Sequence, residues 1–407
     1  MKCFTRAIHL CACIIALGPL VSAFTPENLT SRRTFSRPTS LKGAPSGGDV
    51  ALTSIEQSEG KQDFLLDNLS TLGLLEHVNL NIPNHDHIDF YLKILGFGLD
   101  PRRASNVNEG SGTVWCNAGA SQFHLPYGTT AQVIPGSIGL WYETLDPLKD
   151  RLATFKDDID NGKSDRPFAQ YSIESEGEEC ESVRIMDTYG NVFYCRKVSA
   201  PIMVVNGDEQ VMELTRTAKQ PIVTNEEADI QEFAAAALKY GLGKDEETEC
   251  KGISYVEFLA PRNKAAKIAE FYDCVFDAPT SVFTDPSTGD DVAIIGFGHV
   301  DPETGRSSQT LLFRESDVEL PPYDGHHIAL YAGSSKADFE EAFKNALEAQ
   351  VVWVNPRFSD RVTNLNTAKK WKQFRLKNVV DIKTGKKILE LEHEIRSVEH
   401  DAWPGKK

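Results

Sequence analysis

The alternation of apolar and polar residues predicts one strand, one helix and further strands at the start of the folded part of the chain. Leu75–Pro83 (LEHVNLNIP) alternates as a half-buried strand does, and Ile88–Phe97 (IDFYLKILGF) has apolar residues at helical spacing. Two short strand candidates follow, Gly112–Cys116 and Ser121–Pro126. This stretch therefore predicts a βαβββ module.

A second unit of the same kind follows directly. Its helix is predicted over Pro147–Phe155, because Asp146 suits the N-cap and proline is favoured at the first helical position. Its strands are predicted at Ile138–Glu143, Val183–Ile185 and Val192–Lys197, the last two flanking the turn DTYGN.

The same order of elements returns after residue 250, where YVEFLAP (255–261) aligns with HVNLNIP (77–83). The repeat predicts an α+β fold of two tandem domains, 74–198 and 251–397, each of two paired βαβββ modules. Residues 199–250 are predicted to be a linker with a helix at Gln231–Leu242. The predicted elements of the second domain are strands Ile253–Pro261, Val292–Phe297, Ser308–Phe313, His327–Tyr331 and Ile388–Arg396, and helices Lys264–Val275 and Lys336–Ala349.

The N-terminal residues have the composition of targeting segments. Residues 1–23 have a basic lead and an apolar core ending on small residues, as a signal peptide does, with a membrane anchor as the alternative. Residues 24–60 are a predicted transit peptide and polar lead. The junction VSAFTP resembles the ASAF-type motif of diatoms and related algae, in which a phenylalanine, here Phe24, opens the transit peptide. We therefore expect import into the plastid stroma of an alga with a secondary plastid.

Composition and charge exclude several functions. The chain is 41% apolar and 25% charged, which is ordinary globular composition. Residues 1–48 carry a net charge of +5 within a chain of net charge −16, so the remainder carries −21 and is a poor ligand for nucleic acid or an anionic membrane. The five cysteines after the presequence form no CxxC pair, which disfavours a disulfide framework or a cysteine zinc site. The sequence leaves the oligomeric state open.

Four motifs in order carry a resemblance to a known superfamily. They are HVxLxI in 77–82, FYxxxLGF in 90–97, the strand HIALY in 327–331 and a DxxG-type turn before the last strand. This combination resembles the vicinal oxygen chelate superfamily, which includes glyoxalases and extradiol dioxygenases. The resemblance implies that paired modules form a cup, in which strand residues from two modules bind one metal ion.

Carrying the ligand positions over residue by residue gives an uneven result. The first module supplies His77 and His124, and the fourth supplies His327 with either Glu390 or Glu392. Tandem glyoxalase I-like proteins pair the first half of one domain with the second half of the other, and this pairing would complete one site. The other site would consist of Ser137, Tyr194, Tyr255 and Phe313 or Arg314, and could not hold a divalent cation.

The resemblance implies a divalent metal, Zn, Fe, Ni or Mn, and a small-molecule substrate with adjacent oxygens. The first hypothesis is a glyoxalase-like lyase or isomerase acting through a metal-chelated enediolate, with Glu390 or Glu392 as ligand and base. His124 departs from the Glu or Gln usual at its position, which weakens this hypothesis. An extradiol dioxygenase is the alternative reaction, although Tyr255 replaces one of its usual ligands. A non-catalytic binding or assembly protein on the same fold is the alternative class.

Each candidate residue also has a structural interpretation. His77, His124 and His327 would then be core histidines bonded to carbonyls, and the LELEHE glutamates a solvated strand face. His85 and His87 are expected to cap a helix or face solvent, and His326 to turn to the face opposite His327. The basic residues Arg357, Arg361 and the run Ala368–Arg375 would either bind an anionic substrate or form a solvated strand edge.

Overall fold

A computed structural model describes residues 71–402, apart from 85, 120, 162–169, 176–180, 198–202, 206–207, 213–247, 286–287, 301–306 and 334. The predicted presequence, the predicted linker helix and His85 lie outside the described residues. Within the described part of the chain, every helix is too short or too polar to cross a membrane.

The first module begins with strand β1 (Leu72–Asn79) and helix α1 (Asp86–Asp89), which continues as a π-helical turn over Phe90–Ile94. The helical segment is shorter than the predicted Ile88–Phe97 because Gly96 adopts φ 68°, a left-handed conformation that ends a helix. The remaining elements are β2 (Gly98–Leu99), a 3₁₀ turn (Pro101–Arg103), α2 (Ala104–Glu109), β3 (Thr113–Ala118) and β4 (Ser121–Pro126).

The second module has helix α3 over Asp146–Asp160, with Leu145 at the N-cap. Asp146 therefore lies inside the first turn and is not the cap that the sequence predicts. The predicted DTYGN turn is held by Asp187, whose Oδ1 accepts from the backbone N–H groups of Tyr189, Gly190 and Asn191 at 2.9, 2.8 and 2.8 Å. The strands are β5 (Gly136–Tyr142), β6 (Gln170–Ser175), β7 (Glu181–Met186) and β8 (Val192–Lys197), followed by a separate hairpin of β9 (Met203–Val205) and β10 (Asp208–Met212).

The last two modules repeat this order with one reduction. The third contains β11 (Cys250–Pro261), α4 (Ala265–Phe276), β12 (Thr280–Thr284), β13 (Asp291–Val300) and β14 (Ser307–Ser316). The fourth contains β15 (His327–Ala332), α5 (Lys336–Glu348), α6 (Leu365–Trp371), β16 (Gln373–Val380) and β17 (Lys387–Ser397). A single bridge between Val352 and Leu376 stands where the fourth module would have another strand.

The modules pair across the two predicted domains. The first and fourth form a seven-stranded sheet in the order β16-β17-β15-β1-β4-β3-β2, through antiparallel pairing of β1 with β15. The second and third form an eight-stranded sheet in the order β12-β13-β14-β11-β5-β8-β7-β6, through antiparallel pairing of β11 with β5. The α+β class and the four modules are confirmed.

The two sheets share one register. The pairing of β1 with β15 changes register at Glu76, and the pairing of β11 with β5 changes register at Ser254. These two residues directly precede the aligned segments 77–83 and 255–261, so they are equivalent. Immediately after the shift, His77 pairs with Ala329 in one sheet and Tyr255 pairs with Gly139 in the other. Apolar residues of both sheets and of the helices form one large buried cluster. The two positions after the shift lie outside this cluster. His77 is a buried polar residue, and Tyr255 belongs to a separate small cluster.

Candidate metal centre

Three buried side chains of the seven-stranded sheet converge. His77 on β1, His327 on β15 and Glu394 on β17 each offer one ligand atom, and these atoms lie within 4.8 Å of one another. The three strands are neighbours in the sheet, and Ala329 pairs with both His77 and Glu394. Strand pairing therefore brings together residues that are far apart in sequence.

The two imidazoles have nitrogen atoms without hydrogen-bond partners. Both ring nitrogens of His77 and Nδ1 of His327 are buried and make no hydrogen bond, and Nδ1 of His77 lies 3.4 Å from Oε2 of Glu76. Burial, and then Arg396, lower the pKa of His77 from 6.5 to about 3, and burial also lowers the pKa of His327. The imidazoles are therefore neutral near pH 7, which is the form that binds a metal ion. Since buried polar atoms are normally paired, these nitrogens fit a metal centre.

His124 lies beside this cluster but is not one of its three members. Its ring stacks on His77, with centroids 3.8 Å apart and planes inclined by 25°, and stacks on Trp115 at 4.7 Å. Its Nε2 is 3.2 Å from Oε1 of Gln122. Burial, and then His77, lower the pKa of His124, so this ring is also neutral near pH 7.

The neighbours of Gln122 determine the tautomer of His124. Nε2 of Gln122 donates to Oδ2 of Asp100 at 3.0 Å, and the pKa of Asp100 is lowered because its hydrogen bonds to Arg102 outweigh burial. An ionised carboxylate only accepts, so the Gln122 amide must turn its oxygen toward His124. His124 therefore carries its proton on Nε2 and keeps a lone pair on Nδ1.

The glutamates expected from the sequence, Glu390 and Glu392, are not in the cluster, and Glu394 is. Glu390 is half-buried and pairs with Lys387 at 3.1 Å and Lys377 at 3.5 Å. Glu392 is buried, and its carboxylate accepts from Asn355 at 2.9 and 3.0 Å and from Arg375 at 2.9 Å.

The difference between the expected glutamates and Glu394 arises from the length of the last hairpin. Tyr194 pairs with Gly139, and Glu394 pairs with Ala329. Gly139 and Ala329 are themselves opposite the equivalent residues Tyr255 and His77, so Tyr194 and Glu394 are equivalent in register. Tyr194 lies four residues after the turn glycine Gly190, whereas Glu394 lies nine residues after Gly385. Counting from the turn therefore selects a glutamate too early in the strand.

A buried charge network surrounds Glu394. Arg375 donates to Glu394 at 2.6 Å and to Glu392 at 2.9 Å, and Arg396 donates to Glu394 at 2.7 Å and also to Glu76. Burial raises the pKa of Glu394, but the two arginines outweigh it and lower this pKa well below its usual range. We define the buried charge network as Glu76, Asp360, Glu392, Glu394, Arg375 and Arg396.

The charge of this network suits a divalent cation. Four carboxylates face two buried guanidinium groups, so the buried side chains carry two negative charges in excess, and the half-exposed Arg357 lies 3.9 Å from Glu392. Excess charge in a buried site is unfavourable unless it is paired or coordinates a metal. A bound divalent ion would neutralise it.

The equivalent positions of the eight-stranded sheet hold no comparable group. Tyr255, Ser137 and Tyr194 stand where His77, His327 and Glu394 stand, and Oγ of Ser137 lies 3.3 Å from the Tyr255 hydroxyl. Burial raises the pKa of Tyr255, so its hydroxyl stays neutral.

The sequence assigned the fourth position of this second site to Phe313 or Arg314, and the ladder assigns it to Leu312. His124 pairs with Asn79, and the equivalent pair is Leu312 with Glu257. Phe313 lies one residue after this position, and its side chain belongs to the large buried apolar cluster. Arg314 pairs with Glu257 and Asp285 at 3.0 and 2.9 Å.

Several other histidines and arginines have structural partners. His87 does not face solvent as expected, because it is buried and pairs with Asp187 at 3.2 Å. His326 stacks on Phe258 at 5.7 Å and pairs with Asp324 at 2.6 Å. Arg375 is buried in the charge network, so the basic run before it is not a wholly solvated edge.

Comparison with known proteins adds fold-level similarity. No protein-family model matches the sequence, and no curated protein is similar to it. A mutant of glyoxalase I from Zea mays is 10% identical over 81% of this chain and 93% of its own, with a TM-score of 0.44. A putative dioxygenase from Bacillus subtilis is 13% identical over 83% of this chain and 91% of its own, with a TM-score of 0.43. At these TM-scores the similarities assign no activity to this chain.

Proposed function

We propose that this protein is a metal-dependent enzyme that acts on a small substrate with two adjacent oxygens, in the manner of a glyoxalase-like lyase or isomerase. The observation that carries the proposal is the convergence of His77, His327 and Glu394, with three buried ring nitrogens that lack hydrogen-bond partners. The centre lies in one sheet only, so we expect one metal ion for each chain.

The residues around the centre have separate roles in this proposal. His77, His327 and Glu394 would hold a divalent ion, which would act as a Lewis acid on substrate oxygens. His124 is neutral and has a lone pair on Nδ1, so it can accept a hydrogen bond from a substrate hydroxyl beside the cluster. Arg375 and Arg396 keep Glu394 ionised and hold its carboxylate in place.

A second reaction is favoured by the composition of the cluster. Two histidines and one carboxylate are the ligand set of non-haem Fe(II) oxygenases. The objection raised by Tyr255 no longer applies, because the three residues come from the first and fourth modules. An extradiol dioxygenase-like oxygenase is therefore the second candidate.

A non-catalytic binding or assembly protein is the alternative class. The observation that favours it is the pairing of Glu394 with two arginines, which already neutralise its charge. In that case the centre would be an internal ion-pair network that stabilises the sheet, and no metal ion would bind.

Metal analysis of the purified protein tests these alternatives. We expect about one equivalent of Zn, Fe, Ni or Mn per chain in the wild type, and loss of this metal in His77→Ala. The matched control is His326→Ala, which removes a buried imidazole outside the cluster. Thermal unfolding of both variants verifies that they fold. Equal metal content in wild type and His77→Ala, or a metal-free wild type that takes up no added metal, would refute the enzyme proposal.

We also propose a plastid location, motivated by the sequence VSAFTP around Phe24. A fusion of residues 1–60 to a fluorescent protein should enter the plastid, and Phe24→Ala should misroute it. Plastid import that is unchanged by Phe24→Ala would contradict this use of the motif.

A further inference from the structure

Arg357 lies beside the metal centre on a loop that is fixed at both ends. Nδ2 of Asn355 donates to both carboxylate oxygens of Glu392, and Oδ1 of Asn355 accepts from the backbone N–H of Arg357 at 2.9 Å. Oδ2 of Asp360, three residues further on, accepts from Nε of Arg375 at 3.0 Å. The loop is thereby attached to the buried charge network on both sides of Arg357.

The side chain of Arg357 points out of this network. It is 52% exposed, and its nearest carboxylate in the described chain is Glu392, at 3.9 Å, beyond hydrogen-bond distance. Glu392 already accepts three shorter hydrogen bonds, from Asn355 and Arg375. The Arg357 guanidinium therefore has hydrogen-bonding capacity that no described protein group uses.

Arg357 is also close to the proposed ligands. Its guanidinium carbon is 5.8 Å from the centroid of Phe358, and the Phe358 ring stands edge-on to His327 at 6.2 Å. A small molecule bound at His327 would therefore come within reach of Arg357.

The charge balance indicates what kind of group Arg357 would bind. The buried charge network has two negative charges in excess, which a divalent ion would neutralise. Arg357 lies at the edge of this balance, because its contact with Glu392 is long, at 3.9 Å, and Glu392 already accepts three shorter hydrogen bonds. Arginine binds carboxylates and phosphates through two parallel hydrogen bonds, which suits a planar guanidinium on a fixed loop.

We propose that Arg357 recognises an anionic group, a carboxylate or a phosphate, on the small substrate held at the His77–His327–Glu394 centre. The proposal extends the proposed function and rests on it for the position of the rest of the substrate. Anion binding by Arg357 is itself independent of the metal, so the two are tested separately.

The test measures binding of two probe anions, inorganic phosphate and acetate, by calorimetry at low ionic strength. Wild type, Arg357→Gln, Arg357→Lys and Arg361→Gln are compared, each with and without added Zn²⁺. Arg361→Gln is the matched control, because it removes the same charge from the same loop, and its guanidinium donates to the backbone carbonyls of Asn355 and Pro356. The Arg357 side chain is exposed, so its variants should fold, and thermal unfolding verifies this.

We expect wild type to bind at least one of the two anions, and Arg357→Gln to weaken that binding at least tenfold. The anion affinity of Arg361→Gln should stay within about twofold of that of wild type. The affinity of Arg357→Lys should lie between those of wild type and Arg357→Gln, because lysine keeps the charge but lacks the planar guanidinium that forms two parallel hydrogen bonds. Preference for phosphate over acetate, or the reverse, identifies the substrate group. Equal affinities in Arg357→Gln and Arg361→Gln, or no binding of either anion to wild type, would overturn the proposal. Failure of Zn²⁺ uptake with intact, Arg357-dependent anion binding would refute the metal function alone.

Discussion

The two sheets follow one plan and differ at the positions where their first strands shift register. After the shift, the seven-stranded sheet has histidines with ring nitrogens that make no hydrogen bond, whereas the eight-stranded sheet has hydroxyl groups that lie close enough to bond each other. Beside Tyr255, the eight-stranded sheet has a small apolar cluster of Val292, Ile294 and Leu312. The fold can therefore fill these positions with neutral side chains.

This difference bears on why the histidines are present. An unpaired buried polar atom destabilises a protein by about 1–3 kcal/mol, so a core without a ligand favours side chains that pair internally. The eight-stranded sheet has this arrangement between Ser137 and Tyr255. The seven-stranded sheet instead keeps His77 without a hydrogen bond, 3.4 Å from Glu76 in a negatively charged network, which favours a role in binding over a role in packing.

The largest expected effect is on stability, through the buried charge network. Arg396→Met leaves Glu76 and Glu394 buried without their shared partner, and should lower the free energy of unfolding by about 3–5 kcal/mol, as measured by urea denaturation. Arg262→Met is the control beside the eight-stranded sheet, because Arg262 directly follows β11 and pairs with Asp290 and Asp317 at the surface. Similar losses in the two variants would show that the seven-stranded sheet is not the more charge-dependent one.

Metal affinity should separate the three glutamates of β17. Glu394→Gln removes a proposed ligand, and should weaken Zn²⁺ binding by more than about 100-fold, the upper end of what loss of an outer-shell partner does. Glu390→Gln should leave the affinity unchanged, because Glu390 pairs with Lys377 and Lys387 away from the cluster. Competition titration with a chelating dye measures both. A larger loss in Glu390→Gln would restore the ligand expected from the sequence.

The sequence was sufficient for the modules and for the convergence of His77 and His327, whereas the third expected ligand, His124, lies outside the cluster. Alternation and helical spacing locate the strands and helices because burial of one face dictates them, and His77 and His327 follow from motifs near strand starts. The pairing of the first module with the fourth also follows from the resemblance, since only that pairing gathers the histidines.

The sequence was insufficient where register decides the outcome. Glu390, Glu392 and Glu394 alternate on one strand, and only the length of the β16–β17 hairpin determines which of them faces His327. Tyr194 lies two residues before Arg196, and Glu394 lies two residues before Arg396. An alignment of Arg196 with Arg396, together with Ser137 and His327, would therefore have selected Glu394. The burial of Arg375 and Arg396 depends on tertiary contacts, because the partners of Arg375 lie on β17 and a loop, and Arg396 pairs with Glu76 on β1 as well as with Glu394 on its own strand.

Packing around the second site should depend on Gly139. A Cβ at this position would lie 2.1 Å from ring atoms of Tyr255, whereas the equivalent residue beside His77 is already an alanine, Ala329. Gly139→Ala should therefore destabilise the protein by about 1–3 kcal/mol, in the range of overpacked cores. The same change in a Tyr255→Ala background should have a smaller effect, and thermal unfolding of the double-mutant cycle measures the coupling. Additive effects would mean that the Tyr255 ring does not occupy the space beside Gly139.

The smallest expected effect concerns the orientation of His124. Oε1 of Gln122 accepts a hydrogen bond from Nε2–H of His124, because Asp100 holds the amide nitrogen of Gln122. Histidine ¹⁵N chemical shifts of the wild type should therefore show a protonated Nε2. Gln122→Leu removes the acceptor and Asp100→Asn removes the constraint on the amide, and both should give a mixture of tautomers.

If His124 acts beside the metal, Gln122→Leu should weaken Zn²⁺ binding by about tenfold, the lower end of the range for an outer-shell partner. The equivalent of Gln122 in the eight-stranded sheet is Thr310, so Thr310→Val serves as the control and should leave both the tautomer and the affinity unchanged. A wild-type His124 protonated on Nδ1 would contradict this account, because the lone pair would then point at Gln122 and be lost to the centre.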